Sequence, residues 1–225
     1  MEQNNKYFAF WLSAICIVIF ILQSVILSFT DSLILNQSSF TEPWRFVSAI
    51  FLHGGVVHLI YNLFALLMFG FILEKRIGSW KFLSLFLVGG IIANLIAVNF
   101  YSSSLGASGA IYGVIGCLTL LMPMLTVWAF SLPMPMFLAC IAWTIGDIIQ
   151  TFVPSSGIGT IAHLSGLAVG LLFGLFIRLQ EKKHKTQNKL NYFHIRENYE
   201  KQESKRKVNI PEEIMDDWEK KHMKK

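Results

Sequence analysis

The chain has 225 residues, 54% of them hydrophobic and 15% charged, with a mean hydropathy of +0.53 and a formal net charge of +5. Soluble domains carry about 25% charged residues, so this composition excludes an ordinary water-soluble fold and makes the bilayer the solvent. Of the 33 Lys, Arg, Asp and Glu residues, 23 lie between Arg178 and Lys225, which divides the chain into a membrane body at 1–178 and a charged tail at 179–225.

Apolar runs able to cross about 30 Å of hydrocarbon, roughly 20 residues each, fall at 7–28, 52–73, 80–100, 108–125, 132–150 and 159–178. The expected fold class is therefore all-α: a polytopic membrane protein with a bundle of six transmembrane helices. The first run is too long for a secretory leader and no small-residue cleavage pattern follows it, so it reads as a retained helix. Segment 29–51 reads as a membrane-surface element with Trp44 at headgroup level and Arg45 beside it. The second span carries His53, His58 and Asn62 in "FLHGGVVHLIYN", and the fourth opens on Ser108 in "LGASGAIYG". Pro123, Pro133 and Pro135 blur the boundary between the fourth and fifth spans, so five or seven spans are the alternatives. Asp147, in the fifth, is the only acid inside these spans, and the sixth carries His163 in "GTIAHLSGLAVG". Beyond it the tail is too polar to make a core. Pro211, Glu212 and Glu213, followed by Trp218 and a lysine-rich end, suit a short amphipathic helix or a solvated, partly disordered segment. Acids and bases are mixed throughout it, which argues against nucleic-acid binding.

Basic residues near span ends stay cytoplasmic. Lys75, Arg76 and Lys81 follow the second span, and Lys182, Lys183 and Lys185 follow the sixth. Loop 29–51 has one Arg, and loops 101–107 and 151–158 have no charge. Both termini are thus expected in the cytoplasm of a multi-pass protein, with the bacterial cell membrane as its location.

Polar residues inside a bilayer are costly and point to function. The second, fourth and sixth spans all run from outside to inside, and each carries its polar residues near its N-terminal end. At a rise of about 1.5 Å per residue, His58, Ser108 and His163 lie within about two turns of the outer surface. Small residues four apart let membrane helices approach closely: Gly109 and Gly113 on the fourth span, and Ala162, Gly166, Gly170 and Gly174 on the sixth. Such a contact brings Ser108 to His163. A serine hydroxyl needs a neighbouring base to act as a nucleophile, and imidazole is one. His58 and Asn62, on one helix face, and the Ser108 N–H at a helix start are candidate oxyanion donors. No cofactor or metal is expected; Cys16, Cys117 and Cys140 lack metal-type pairing and read as packing residues.

Taken in order, these motifs resemble the rhomboid intramembrane serine proteases over 40–178. They are Trp44–Arg45, then His53, His58 and Asn62 as H-x₄-H-x₃-N, and Gly70, Glu74 and Gly78 as G-x₃-E-x₃-G. There follow G-x-S-G at Gly106 to Gly109 with Tyr112, and Ala162–His163 with Gly166 and Gly170. The resemblance implies a serine endopeptidase that cleaves the transmembrane segments of other membrane proteins, its partners in the lipid bilayer, from a cavity open to the outer side. It implies Ser108 as nucleophile, His163 as base and a dyad without an acid. His58, Asn62 and the Ser108 N–H would form the oxyanion hole, with Tyr112 stacking near His163 and His53 structural. Asp147, at a depth similar to His163, leaves a third member open against a plain buried acid. Two other classes compete: a rhomboid-like binding or quality-control factor, which would lack the serine or histidine, and a transporter with a histidine relay, which would spread its ionisable residues across the membrane.

Overall fold

Lipid offers the backbone no hydrogen-bond partner, so apolar runs fold into helices that satisfy their own N–H and C=O groups. The computed structural model describes residues 6–152, 159–208 and 212–222. It is mostly helical and forms two units, Met1–Ile177 and Arg178–Lys225. Among the described residues, four stretches are long and apolar enough to cross a membrane: Phe8–Val25, Val56–Ile77, Ser79–Ala97 and Thr160–Glu203. Two shorter apolar helices, Ser108–Leu121 and Met136–Thr151, accompany them. The chain is an integral multi-pass membrane protein.

Helix α1 (Phe8–Val25) leaves Phe10, Trp11, Val18 and Ile21 each more than half exposed, a surface that lipid would cover. Its start is held from the far end of the second stretch, which runs as α4 (Val56–Ala65), a π-helical turn (Leu66–Gly70) and α5 (Phe71–Ile77). The buried Glu74 carboxylate accepts the N–H groups of Phe8 and Ala9, both at 2.9 Å. Two orphan donors at a helix N-terminus are thereby met by an acid, as the helix dipole favours.

Segment 29–51 folds into α2 (Phe29–Leu33), strand β1 (Leu35–Asn36), a 3₁₀ turn (Gln37–Phe40), α3 (Arg45–Ser48) and a second 3₁₀ turn (Ala49–Phe51). Trp44 is exposed, but Arg45 is not the surface residue expected of it: it is buried and donates to the carbonyls of Asp31 at 2.7 Å and Ile34 at 2.9 Å while pairing with Glu42. A guanidinium has enough donors to close carbonyls that an irregular segment leaves open. Asn94 of α6 (Ser79–Ala97) donates to the Phe46 carbonyl at 2.9 Å and ties the segment to the bundle.

Helix α7 (Ser108–Leu121) is central, with Gly109 through Leu118 buried apart from Tyr112. It stops at Leu121, short of the expected 125. Residues 126–135, divided in the reading of apolar runs between the gap after the fourth span and the start of the fifth, form an antiparallel hairpin of β3 (Thr126–Ala129) and β4 (Leu132–Pro135). Phe130 and Ser131 turn it with φ of 52° and 64°, a two-residue turn normally built from Asn or Gly. That missing signature is why the strands are not visible as strands in the residues. A second small sheet pairs Leu35 with Ser104 and Asn36 with Ser103, where β2 (Ser103–Ser104) approaches α7. Helix α8 (Met136–Thr151) follows, then α9 (Thr160–Val208).

In the second unit, exposed i, i+4 pairs link Arg196 to Glu200 at 2.9 Å and Lys201 to Glu197 at 2.6 Å. Such pairs support a solvated helix, and the lysine draws the Glu197 carboxyl below its usual range. Helix α10 (Glu212–His222) begins with two acids. Residues 153–158 of the loop read as external, Pro211 and the lysines at 224 and 225 lie outside the described residues.

Candidate active site

Three helix starts converge. His58 is on the first turn of α4, Ser108 is the first residue of α7, and His163 is on the first turn of α9. Glycines decide how near α9 comes to α7. A Cβ at Gly166 would lie 1.9 Å from the Gly109 carbonyl oxygen, and one at Gly170 would lie 1.9 Å from that of Gly113. No other residue permits that approach.

At this spacing the His163 Nε2 is 2.8 Å from the Ser108 Oγ. The imidazole lies parallel to the Tyr112 ring, centroids 4.4 Å apart and planes 8° apart. Its other nitrogen, Nδ1, is 3.1 Å from the Asp147 Oδ1 of α8. A proton on Nδ1 shared with that carboxylate leaves Nε2 free to accept the serine hydroxyl.

His58 approaches from the opposite side. Its Nδ1 accepts the Gly54 N–H at 3.3 Å, which puts its own proton on Nε2. The ring lies over Gly106, which has φ of 126° and where a Cβ would meet Cε1 at 2.8 Å and Nε2 at 3.0 Å. Glycine is required there on both counts. The Gly106 N–H donates to the Ala49 carbonyl at 2.9 Å and anchors the turn. Asn62 is buried, and its amide donates to the His58 carbonyl at 2.8 Å. As the first residue of α7, Ser108 has an N–H outside the intrahelical ladder. His53 is buried, edge-on to His58 with centroids 5.3 Å apart, its N–H donating to the Gln23 side chain at 2.9 Å. It takes no place on the cavity wall.

That cavity, about 1580 Å³, is lined by His58, Asn62, Gly106, Ser108, Gly109, Tyr112 and His163. Hydroxyl, candidate base, candidate oxyanion donors and open volume meet at one place, an arrangement in which a serine oxygen can take an acyl group from a peptide and pass it to water. Residues 40–180 match the Rhomboid domain family. The chain belongs to the rhomboid family. Rhomboid protease GlpG of Haemophilus influenzae is 30% identical over 173 residues, covering 72% of this chain and 86% of that protein. RHOMBOID-like protein 6, mitochondrial, of Arabidopsis thaliana is 31% identical over 147 residues, covering 62% of this chain and 45% of that one. Rhomboid protein 1, mitochondrial, of Saccharomyces cerevisiae is 29% identical over 166 residues, 68% and 47% respectively. This rhomboid chain thus spans less than half the length of the plant and yeast relatives.

Three features of this rhomboid site are not legible as motifs. Tyr101 accepts the Ile161 N–H at 3.0 Å, and Thr151 Oγ1 lies 2.8 Å from Thr160 Oγ1, so two side chains from elsewhere fix the start of α9. Their residue types give no signal in a sequence. The third is the direct Asp147–His163 contact, which only a shared depth hinted at.

Proposed function

We propose that this chain is an intramembrane serine endopeptidase that cleaves transmembrane segments of other membrane proteins. The single observation that carries the reading is the 2.8 Å contact between His163 Nε2 and Ser108 Oγ. As the hydroxyl attacks the scissile carbonyl, an Oγ–C bond forms, the proton passes to Nε2 and the carbonyl electron pair moves to oxygen. His58 Nε2–H, the Asn62 amide and the Ser108 N–H are the donors for that oxyanion. His163 then protonates the leaving amine, and water releases the acyl group by the same route. Tyr112 supports the base by stacking, and Gly106 and Gly109 allow the turn and the helix contact.

The architecture in this reading is six transmembrane helices, the short α7 and α8 counted with the four longer stretches. Both termini are cytoplasmic and the cavity faces outward, as the lysines and arginines near span ends support. A bacterial cell membrane is the location, supported by coverage of 86% of the Haemophilus relative. Unwinding of the substrate helix must precede attack, since helical carbonyls are already engaged.

The test is reconstitution of the full chain with a model transmembrane substrate, comparing wild type with Ser108→Ala and His163→Ala. Both variants are expected to lose cleavage entirely. Cleavage that survives Ser108→Ala sinks the proposal, and a wild type that binds the substrate without cutting it points to a non-catalytic binding factor.

A further inference from the structure

We infer that Asp147 is a positioning residue that turns the Ser108–His163 pair into a triad. The inference rests on the protease reading above and deepens it. Asp147 is 6% exposed, inside a membrane body where an isolated carboxylate is strongly disfavoured. The other deeply buried acid among the described residues, Glu74, has both oxygens met by backbone N–H groups. Asp147 has nothing comparable. Its Oδ1 lies 3.1 Å from His163 Nδ1 and its Oδ2 has no hydrogen-bond partner. The Tyr112 hydroxyl, on the ring that stacks against the same imidazole, is the neighbouring donor that faces this carboxyl, and it stops short of a regular hydrogen bond to Oδ2. A carboxylate kept buried with one oxygen empty is poorly placed as a structural tie. It is well placed beside an imidazole that becomes cationic during turnover.

The surrounding contacts favour that role. Asp147 is absent from the cavity wall, so it acts through His163 rather than on substrate. The Thr151 hydroxyl donates to the Asp147 carbonyl at 2.8 Å and lies 2.8 Å from the Thr160 hydroxyl, which holds the end of α8 against the start of α9. This linkage fixes the register in which Asp147 meets His163. The imidazole is then held on three sides: Tyr112 on its face, Asp147 at Nδ1 and Ser108 at Nε2. Asp147 holds the proton on Nδ1, leaves Nε2 basic, and stabilises the imidazolium that forms when Ser108 attacks. It does not itself take the proton.

The experiment uses the full chain in proteoliposomes, with Asp147→Ala, Asp147→Asn and Asp147→Glu beside wild type and Ser108→Ala. Kinetics on a model transmembrane substrate are read together with the rate of Ser108 labelling by a fluorophosphonate and the thermal midpoint of each variant. Loss of the acid in a soluble triad lowers kcat by about 10⁴-fold; here Asp147→Ala and Asp147→Asn are expected to lower kcat and labelling by about 100-fold or more with KM within about twofold. Asp147→Glu restores part of the rate. Wild-type kcat in Asp147→Ala, with Ser108→Ala dead, overturns the triad and leaves the protease reading standing. A wild type that neither labels nor cleaves overturns both. Should the variants fail to fold, ¹⁵N-histidine spectra of wild type decide: an Nδ1–H resonance on His163 with Nε2 bare supports the triad, and the opposite tautomer removes it.

Discussion

Gly106 shows how one residue without a side chain supports a site made of several. Its positive φ turns the chain into α7, and its bare face accepts the His58 ring. An alanine there brings a Cβ to 2.8 Å from His58 Cε1 and strains the backbone at once. Gly106→Ala is therefore expected to displace the His58 Nε2–H from the oxyanion position and lower kcat by about tenfold or more, toward the loss seen on removing an oxyanion donor. Steady-state kinetics check it, and unchanged kcat would show that His58 is not a donor. The residue types at this scale were readable: Ser108, His163, His58 and Asn62 stand out because polar groups in apolar spans are few, while Tyr112 is singled out only by the family resemblance. Arg45 was read only as the neighbour of Trp44 in a membrane-surface element, since a lone arginine beside a tryptophan in a short outer segment does not reveal that it closes buried carbonyls of that segment.

Among the elements, the contact between α7 and α9 matters most, because it sets the distance between nucleophile and base. Gly166→Ala places a Cβ 1.9 Å from the Gly109 carbonyl oxygen. The helices must separate, at a cost of about 1–3 kcal/mol from overpacking, and cleavage should fall as Ser108 and His163 move apart. Gly146→Ala on α8 has nothing within 4 Å of the added Cβ and should leave thermal stability unchanged or slightly raised. Equal thermal midpoints in the two variants would remove the argument from close packing. Helix existence was legible from apolar runs and glycine spacing. The hairpin at 126–135 was not, because Phe130 and Ser131 make a turn that ordinarily advertises itself with Asn or Gly.

For the molecule as a whole, the proposed orientation puts Ser103 outside the membrane and Lys75 inside. In a background without Cys16, Cys117 and Cys140, all buried, a membrane-impermeant maleimide added to intact cells should label Ser103→Cys and not Lys75→Cys. Both positions are exposed, so sidedness alone separates them. The reverse pattern would invert the proposed topology and put the cavity on the inner face.

The residues by themselves determined that the chain is a membrane protein, which segments are apolar enough to cross, and which few polar side chains enter at one depth. Those properties follow from composition and periodicity, which are local. Only the tertiary structure decided that Ser108 and His163 are 2.8 Å apart, that Tyr112 stacks on the imidazole, and that Asp147 reaches its far nitrogen from a third helix. Depth along a helix is written in the sequence, but rotation about its axis and distance to its neighbours come from packing. Here that packing is set by bare glycine faces, whose contacts depend on the helix opposite.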